Sequence, residues 1–313
     1  MNFKTSTLIS LLSLSAVGGL FAPAGAAQPE TMDIRNAKDH VSDGRGVVGH
    51  RRAEDGSPRA AGPTGQASTV ITYHNGPVML NTVNVYVIWY GNWAGNTATT
   101  IIPDFLNNLG GSPYWNINTT YYNGAGTHLA NSVAFLGSTT DNYSLGKNLS
   151  DANIRTVVSS AITSGRLPKD AAGIYLVLTA ADVTAKSGFC TRYCGWHTYS
   201  TISSTTIKYA FVGNAARCLN SCAAQSVGPN GNAGADAMIS VIAHELEEAA
   251  TDPQLNAWYD GSGAENADKC SWSFGTSYTA PNGAKANMKL GTRDYYVQQN
   301  WVNSGSGYCA LKY

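Results

Sequence analysis

The sequence predicts a mixed α+β fold over residues 68–313: a mixed sheet, one long helix at its heart, and a loop-rich, disulfide-tied C-terminal part. Three observations carry this. Several segments of strand length alternate apolar and polar residues or run apolar without a break. Between them, Ile239, Ile242, Ala243, Leu246 and Ala250 recur at helical spacing. Six cysteines, Cys190, Cys194, Cys218, Cys222, Cys270 and Cys309, all lie in the last two fifths of the chain. Strands and helices follow one another without a regular βαβ rhythm, which predicts α+β.

In chain order, residues 1–27 read as a signal peptide. Lys4 precedes an apolar stretch over 8–21, and Ala24, Gly25 and Ala26 supply small residues for cleavage. Residues 28–67 are rich in Arg, Asp, Gly and Pro without apolar periodicity, as a linker or pro-segment would be. The body opens with STVITYHNGPVM and NTVNVYVIWYGNW. Val83, Val85, Val87 and Trp89 mark one face of a strand, and Asn75-Gly76 signals a turn. Residues 99–109 carry Pro103 in an early turn of a predicted helix. PYWNINTTYYN reads as strand and loop. Ser150 opens a helix that Gly165 closes. GIYLVLTA (173–180) is continuously apolar and so predicts a central strand buried on both faces, and IKYAFVGN (207–214) predicts another. A late strand is expected over 295–301.

Composition narrows the function classes. The chain has 313 residues and zero formal net charge, which gives no basic surface for nucleic acid or an anionic membrane. Only 13% of residues are charged, against about 25% in an average domain. Seventeen tyrosines and many Asn, Ser and Thr fill the difference, which suits an exported protein. An even cysteine count agrees, and six cysteines allow 15 pairings. We expect Cys190–Cys194, Cys218–Cys222 and Cys270–Cys309, with crossed pairing between the two Cys-x-x-x-Cys elements as the alternative. No Gly-x-Ser-x-Gly elbow, phosphate loop or dinucleotide fingerprint is present.

The chemistry concentrates in ISVIAHELEEAATDPQLNAWYDGSGAENADKC, residues 239–270. Asn232 or Asp236 caps the predicted helix and Pro253 ends it. His244 and Glu248 stand one turn apart, so an imidazole and a carboxylate converge on one ion. The order His-Glu-x-x-Glu is one residue from the zinc-hydrolase helix His-Glu-x-x-His, in which the Glu beside the first ligand serves as general base. Glu245 holds that position. Downstream, Glu265 or Asp268 supplies a third ligand from a Gly-rich turn that also carries Asp260. Asp252 orients a ligand from behind, and His197, three residues past Cys194, is either a further group at the site or a loop histidine. The competing reading is a surface helix carrying the acids Glu245, Glu247 and Glu248. Zinc is the expected ion and calcium the alternative, because oxygen-rich acids suit both. A carboxylate pair drawn from Glu245 or Glu248 and Asp260 or Glu265 would instead suit a glycosidase. Trp258, Tyr259, Trp272 and Trp301 offer either a sugar-stacking surface or core.

The segments YHNGPVMLNTVNVYVIWYGNW, FCTRYCGWH, YAFVGN, CLNSC and the 239–270 stretch resemble the phosphate-induced protein family, also called EXORDIUM-like, from about Val70 to Cys309. The resemblance implies an extracellular or cell-wall protein associated with growth and cell expansion. The family's His-Glu-x-x-Glu-x-x-x-Asp-Pro motif falls on His244, Glu245, Glu248, Asp252 and Pro253, and its Glu-x-x-Asp-x-Cys tail on Glu265, Asp268 and Cys270. The expectation is therefore a secreted, monomeric, zincin-like metal-binding protein. It is either a metallohydrolase of extracellular peptides or a non-catalytic protein that binds wall polysaccharide.

Overall fold

The computed structural model describes residues 70–313, so the expected signal peptide and linker lie outside the described residues. A short strand β1 (Thr72–Tyr73) precedes β2 (Val83–Tyr90). Helix α1 (Ala98–Leu109) then leads to β3 (Val133–Asp141) and the short β4 (Asn148–Leu149). Helix α2 (Asp151–Thr163) leads to β5 (Gly173–Thr179), followed by the short β6 (Thr184–Ala185). Strands β7 (Gly195–Ile202) and β8 (Thr205–Val212) form a hairpin. A one-turn helix α3 (Leu219–Cys222) and the long α4 (Ala233–Thr251) follow.

The main sheet has the order β3-β2-β5-β8-β7. The first four strands pair in parallel and β7 runs antiparallel at one edge. From β2 the chain steps outward to β3 through α1, then back across β2 to β5 through α2. Crossovers in opposite directions along a sheet, each right-handed, place their helices on opposite faces. Helix α4 packs on α1 and on β7 and β8, so it shares the α1 face. This sandwiching explains β5, which is buried at every residue, as its continuous apolar run predicts. It also corrects the one-faced reading of β2: seven of its eight residues are buried, because β2 lies between β3 and β5 with helices on both sides.

Local chemistry accounts for the remaining elements. Ser150 caps α2 and forms a reciprocal capping box with Asn153, and Gly165 takes φ 72° just beyond the helix. Asn232 caps α4 by accepting the Ala235 N–H at 3.1 Å. The PYWNINTTYYN segment is a 3-10 helix over Trp115–Thr120, not a strand. Ser112 Oγ accepts the Trp115 N–H, and the Thr119 and Thr120 hydroxyls donate to carbonyls three residues back. Such local bonds compete with a strand ladder. The expected late strand is split into β13 (Arg293–Tyr295) and β14 (Asn300–Val302), and between them Gln298 N–H donates to Ser240 Oγ on α4. Together with β9 (Trp258–Tyr259), β10 (Tyr278–Thr279), β11 (Lys285–Ala286), β12 (Met288–Leu290) and β15 (Tyr308–Ala310), these form small two-stranded sheets, β9 pairing with β1.

The disulfides are Cys190–Cys218, Cys194–Cys222 and Cys270–Cys309. The third is the expected pair, and the first two are crossed, which corrects Cys190–Cys194 and Cys218–Cys222. Cys218 and Cys222 stand one helical turn apart, with Cys222 N–H donating to the Cys218 carbonyl. Residues at that spacing hold their Cβ atoms about 5–6 Å apart, whereas a disulfide needs about 3.8 Å. The crossed pairs instead tie the start of β7 to α3.

Candidate metal centre

Helix α4 is not the surface helix of the competing reading: 17 of its 19 residues are buried. Its polar side chains must therefore find partners inside the protein. They do so on two sides of the helix. On one side, Glu247 is fully buried; Asn300 Nδ2 donates to its carboxyl group, and Asn266 Nδ2 donates to its backbone carbonyl. Burial raises the Glu247 carboxyl well above its usual range. This acid is one the sequence could not single out, since nothing in the Glu-Leu-Glu-Glu run separates it from its neighbours. Asn118, which also begins an Asn-Thr-Thr glycosylation triplet, is fully buried and closed to a glycan.

On the other side lie His244, Glu245 and Glu248. His244 Nε2 is 2.9 Å from Glu248 Oε1 and 3.5 Å from Asp268 Oδ1. Neither nitrogen of His244 makes an aligned hydrogen bond. The Asp268 backbone N–H donates to Glu248 Oε1, which docks the Gly-rich turn onto the helix.

His197 completes the group from β7. Its Nε2 is 3.1 Å from Glu265 Oε2 and 3.7 Å from Glu248 Oε2. It is therefore a strand residue facing the acids, not a loop histidine. The local reason is strand alternation: His197 points to the same side of β7 as Gly195, which faces α4. A Cβ at Gly195 would stand 2.5 Å from Val241 Cγ1 and 2.8 Å from Glu245 Oε1, so only glycine lets the strand and the helix approach this closely. No signal in the sequence joins His197 to an acid 68 positions downstream.

Both third-ligand candidates, Glu265 and Asp268, are present at the site. Glu245, also predicted, is fully buried and neither of its oxygens has a hydrogen-bond partner. Asp252 stands at the end of α4, where Oδ1 accepts the Asn256 and Ala257 N–H groups and braces the following loop. Asp260 lies elsewhere in function: its carboxylate caps the turn through Ser262 and Ala264 and pairs with Lys269 at 2.9 Å. Trp258 and Trp301 are core residues.

The electrostatics are those of a crowded acidic pocket. Burial alone would lower the His197 imidazole, but Glu265, Glu248 and Glu245 override it and raise it to about 10. His244 is likewise raised, by Glu248 and Asp268 against burial. Burial pushes the carboxyls of Glu245, Glu248, Asp252 and Asp268 up to about 7. Two sets of donors have ligand atoms within 4.8 Å of one another: His197, Glu248 and Glu265, and His244, Glu248 and Asp268. For a tetrahedral zinc ion with bonds of about 2.0–2.2 Å, neighbouring ligand atoms lie roughly 3.3–3.5 Å apart. The imidazole-to-carboxylate spacings of 2.9–3.7 Å bracket that value.

The conserved region of phosphate-induced protein 1 matches residues 71–296, a span that includes every donor above. Among curated proteins, the chain is 36% identical to Protein EXORDIUM-like 3 of Arabidopsis thaliana, over 76% of this chain and 82% of that protein. It is 34% identical to Protein PHOSPHATE-INDUCED 1 of Nicotiana tabacum, over 61% of this chain and 68% of that protein. It is 30% identical to Protein EXORDIUM of Arabidopsis thaliana, over 61% and 69% respectively. No solved structure matches the chain. With this match and these identities, and with the whole donor set inside the matched region, the chain belongs to the phosphate-induced protein 1 family.

Proposed function

We propose that this protein is a secreted, zincin-like metalloprotein, with a metallohydrolase acting on extracellular or cell-wall peptides as its activity. One observation carries the reading: two imidazoles and three carboxylates, drawn from an edge strand, a helix and a turn, gather in two overlapping sets with imidazole-to-carboxylate spacings of 2.9–3.7 Å. The donor chemistry favours zinc over calcium. Imidazole suits zinc-class ions, whereas calcium prefers six to eight oxygens at longer distances. The three disulfides support an oxidising, extracellular setting.

A bound zinc-class ion supplies Lewis acidity, polarising a substrate carbonyl and easing proton loss from water. The protein's residues do the rest. His197, Glu248 and Glu265, or His244, Glu248 and Asp268, would hold the ion. Glu245, with both oxygens unpartnered beside them, is placed to take the proton from the attacking water and return it to the leaving amine. Asp252 fixes the loop after the helix. Metal analysis of the purified full chain tests the reading: stoichiometric zinc is expected, and its absence together with indifference to chelator would end it.

A second reading is favoured by burial. No donor side chain is more than 5% exposed, and closed metal sites are commonly structural. On this reading the ion braces a non-catalytic, wall- or glycan-binding protein. Hydrolysis of a peptide library by the metal-loaded protein, and its loss in Glu245→Gln, separates the two.

A further inference from the structure

We propose that the centre holds two zinc-class divalent cations rather than one, with the carboxylate of Glu248 bridging them. This rests on the metal-binding reading above and deepens it. The donors fall into two sets, each with its own imidazole and its own terminal carboxylate: His197 with Glu265, and His244 with Asp268. Glu248 is the one residue common to both sets, and it presents a different oxygen to each. Its Oε1 is 2.9 Å from His244 Nε2, and its Oε2 is 3.7 Å from His197 Nε2. A carboxylate that offers one oxygen to each of two ions spans the roughly 3.5–4 Å separation found in paired-metal hydrolytic sites.

One further observation points the same way. His244 is fully buried with neither ring nitrogen hydrogen-bonded, and Asp268 Oδ1, 3.5 Å away, is also unpartnered, so the second set offers buried donors of its own. A paired centre would favour hydrolytic substrates whose attacking and departing oxygen or nitrogen atoms can be held by separate ions.

The experiment is a metal count on the purified full chain after equilibration with excess zinc and removal of free ion. The expected result is two zinc ions per chain in the natural protein and one each in His197→Ala and His244→Ala. One ion per chain that either substitution abolishes would overturn the paired centre while leaving the metal-binding reading intact. No ion in the natural protein would overturn both. Because either alanine variant could lose its fold, the natural protein is also loaded with manganese and measured by electron paramagnetic resonance. A spin-coupled pair is expected, and the spectrum of an isolated ion at full loading would overturn the proposal.

Discussion

At the scale of the residue, the His-Glu-x-x-Glu order is legible because helical spacing alone places His244 and Glu248 together. Glu245→Gln keeps the size and removes the base. Metal content should stay unchanged while any hydrolytic rate falls about 10²–10⁴-fold, read by metal analysis and turnover on the same preparation. Gly195 carries a different prediction. A methyl group there would collide with Val241 and Glu245, so Gly195→Ala should cost about 1–3 kcal/mol and reduce metal uptake. Urea melts and metal content would check it, and an unaltered variant would show that the strand and helix can separate without cost. Glu247 makes a third case. Its buried, Asn300-bonded carboxyl should accept Glu247→Gln with a loss under about 1 kcal/mol, whereas Glu247→Ala should lose about 2–4 kcal/mol. Equal losses in the two variants would contradict the role assigned to the hydrogen bond.

At the scale of the element, the central strands are readable because sandwiching between helices demands continuous apolar sequence, which β5 and β8 display. Strand β7 is not readable in this way. As the antiparallel edge it carries GWHTYSTI, whose polar residues suit a strand paired on one side only. Its placement against α4 depends on Gly195 and on the crossed disulfides. Replacing Cys194 and Cys222 with serine should cost about 3 kcal/mol for a loop of this size. It should also weaken metal binding, because His197 lies three residues from the released link. Denaturation under oxidising conditions and a metal titration would measure the two effects. Proteolytic mapping that recovered Cys190–Cys194 peptides would refute the pairing itself.

At the scale of the whole molecule, the donors come from positions 197 to 268 and hold three elements together. Removal of the ion should therefore act on global stability. An ion held at 100 times its dissociation constant contributes about 2.7 kcal/mol. For a domain of this size that corresponds to a fall in Tm of roughly 5–10 °C on chelation, reversed by added zinc. A Tm indifferent to chelator in protein of proven metal content would mean that the ion does not brace the fold.

The sequence by itself determined the apolar strands at the centre of the sheet, the capped helices and the acidic motif on α4. Each is written in a local period or a short spacing. Only the tertiary structure decided that His197 joins the site, that Glu247 does not, that both Glu265 and Asp268 do, and how the six cysteines pair. Those outcomes depend on which side of a buried helix faces which strand. That choice is made by packing between residues far apart in the chain, and no local pattern encodes it.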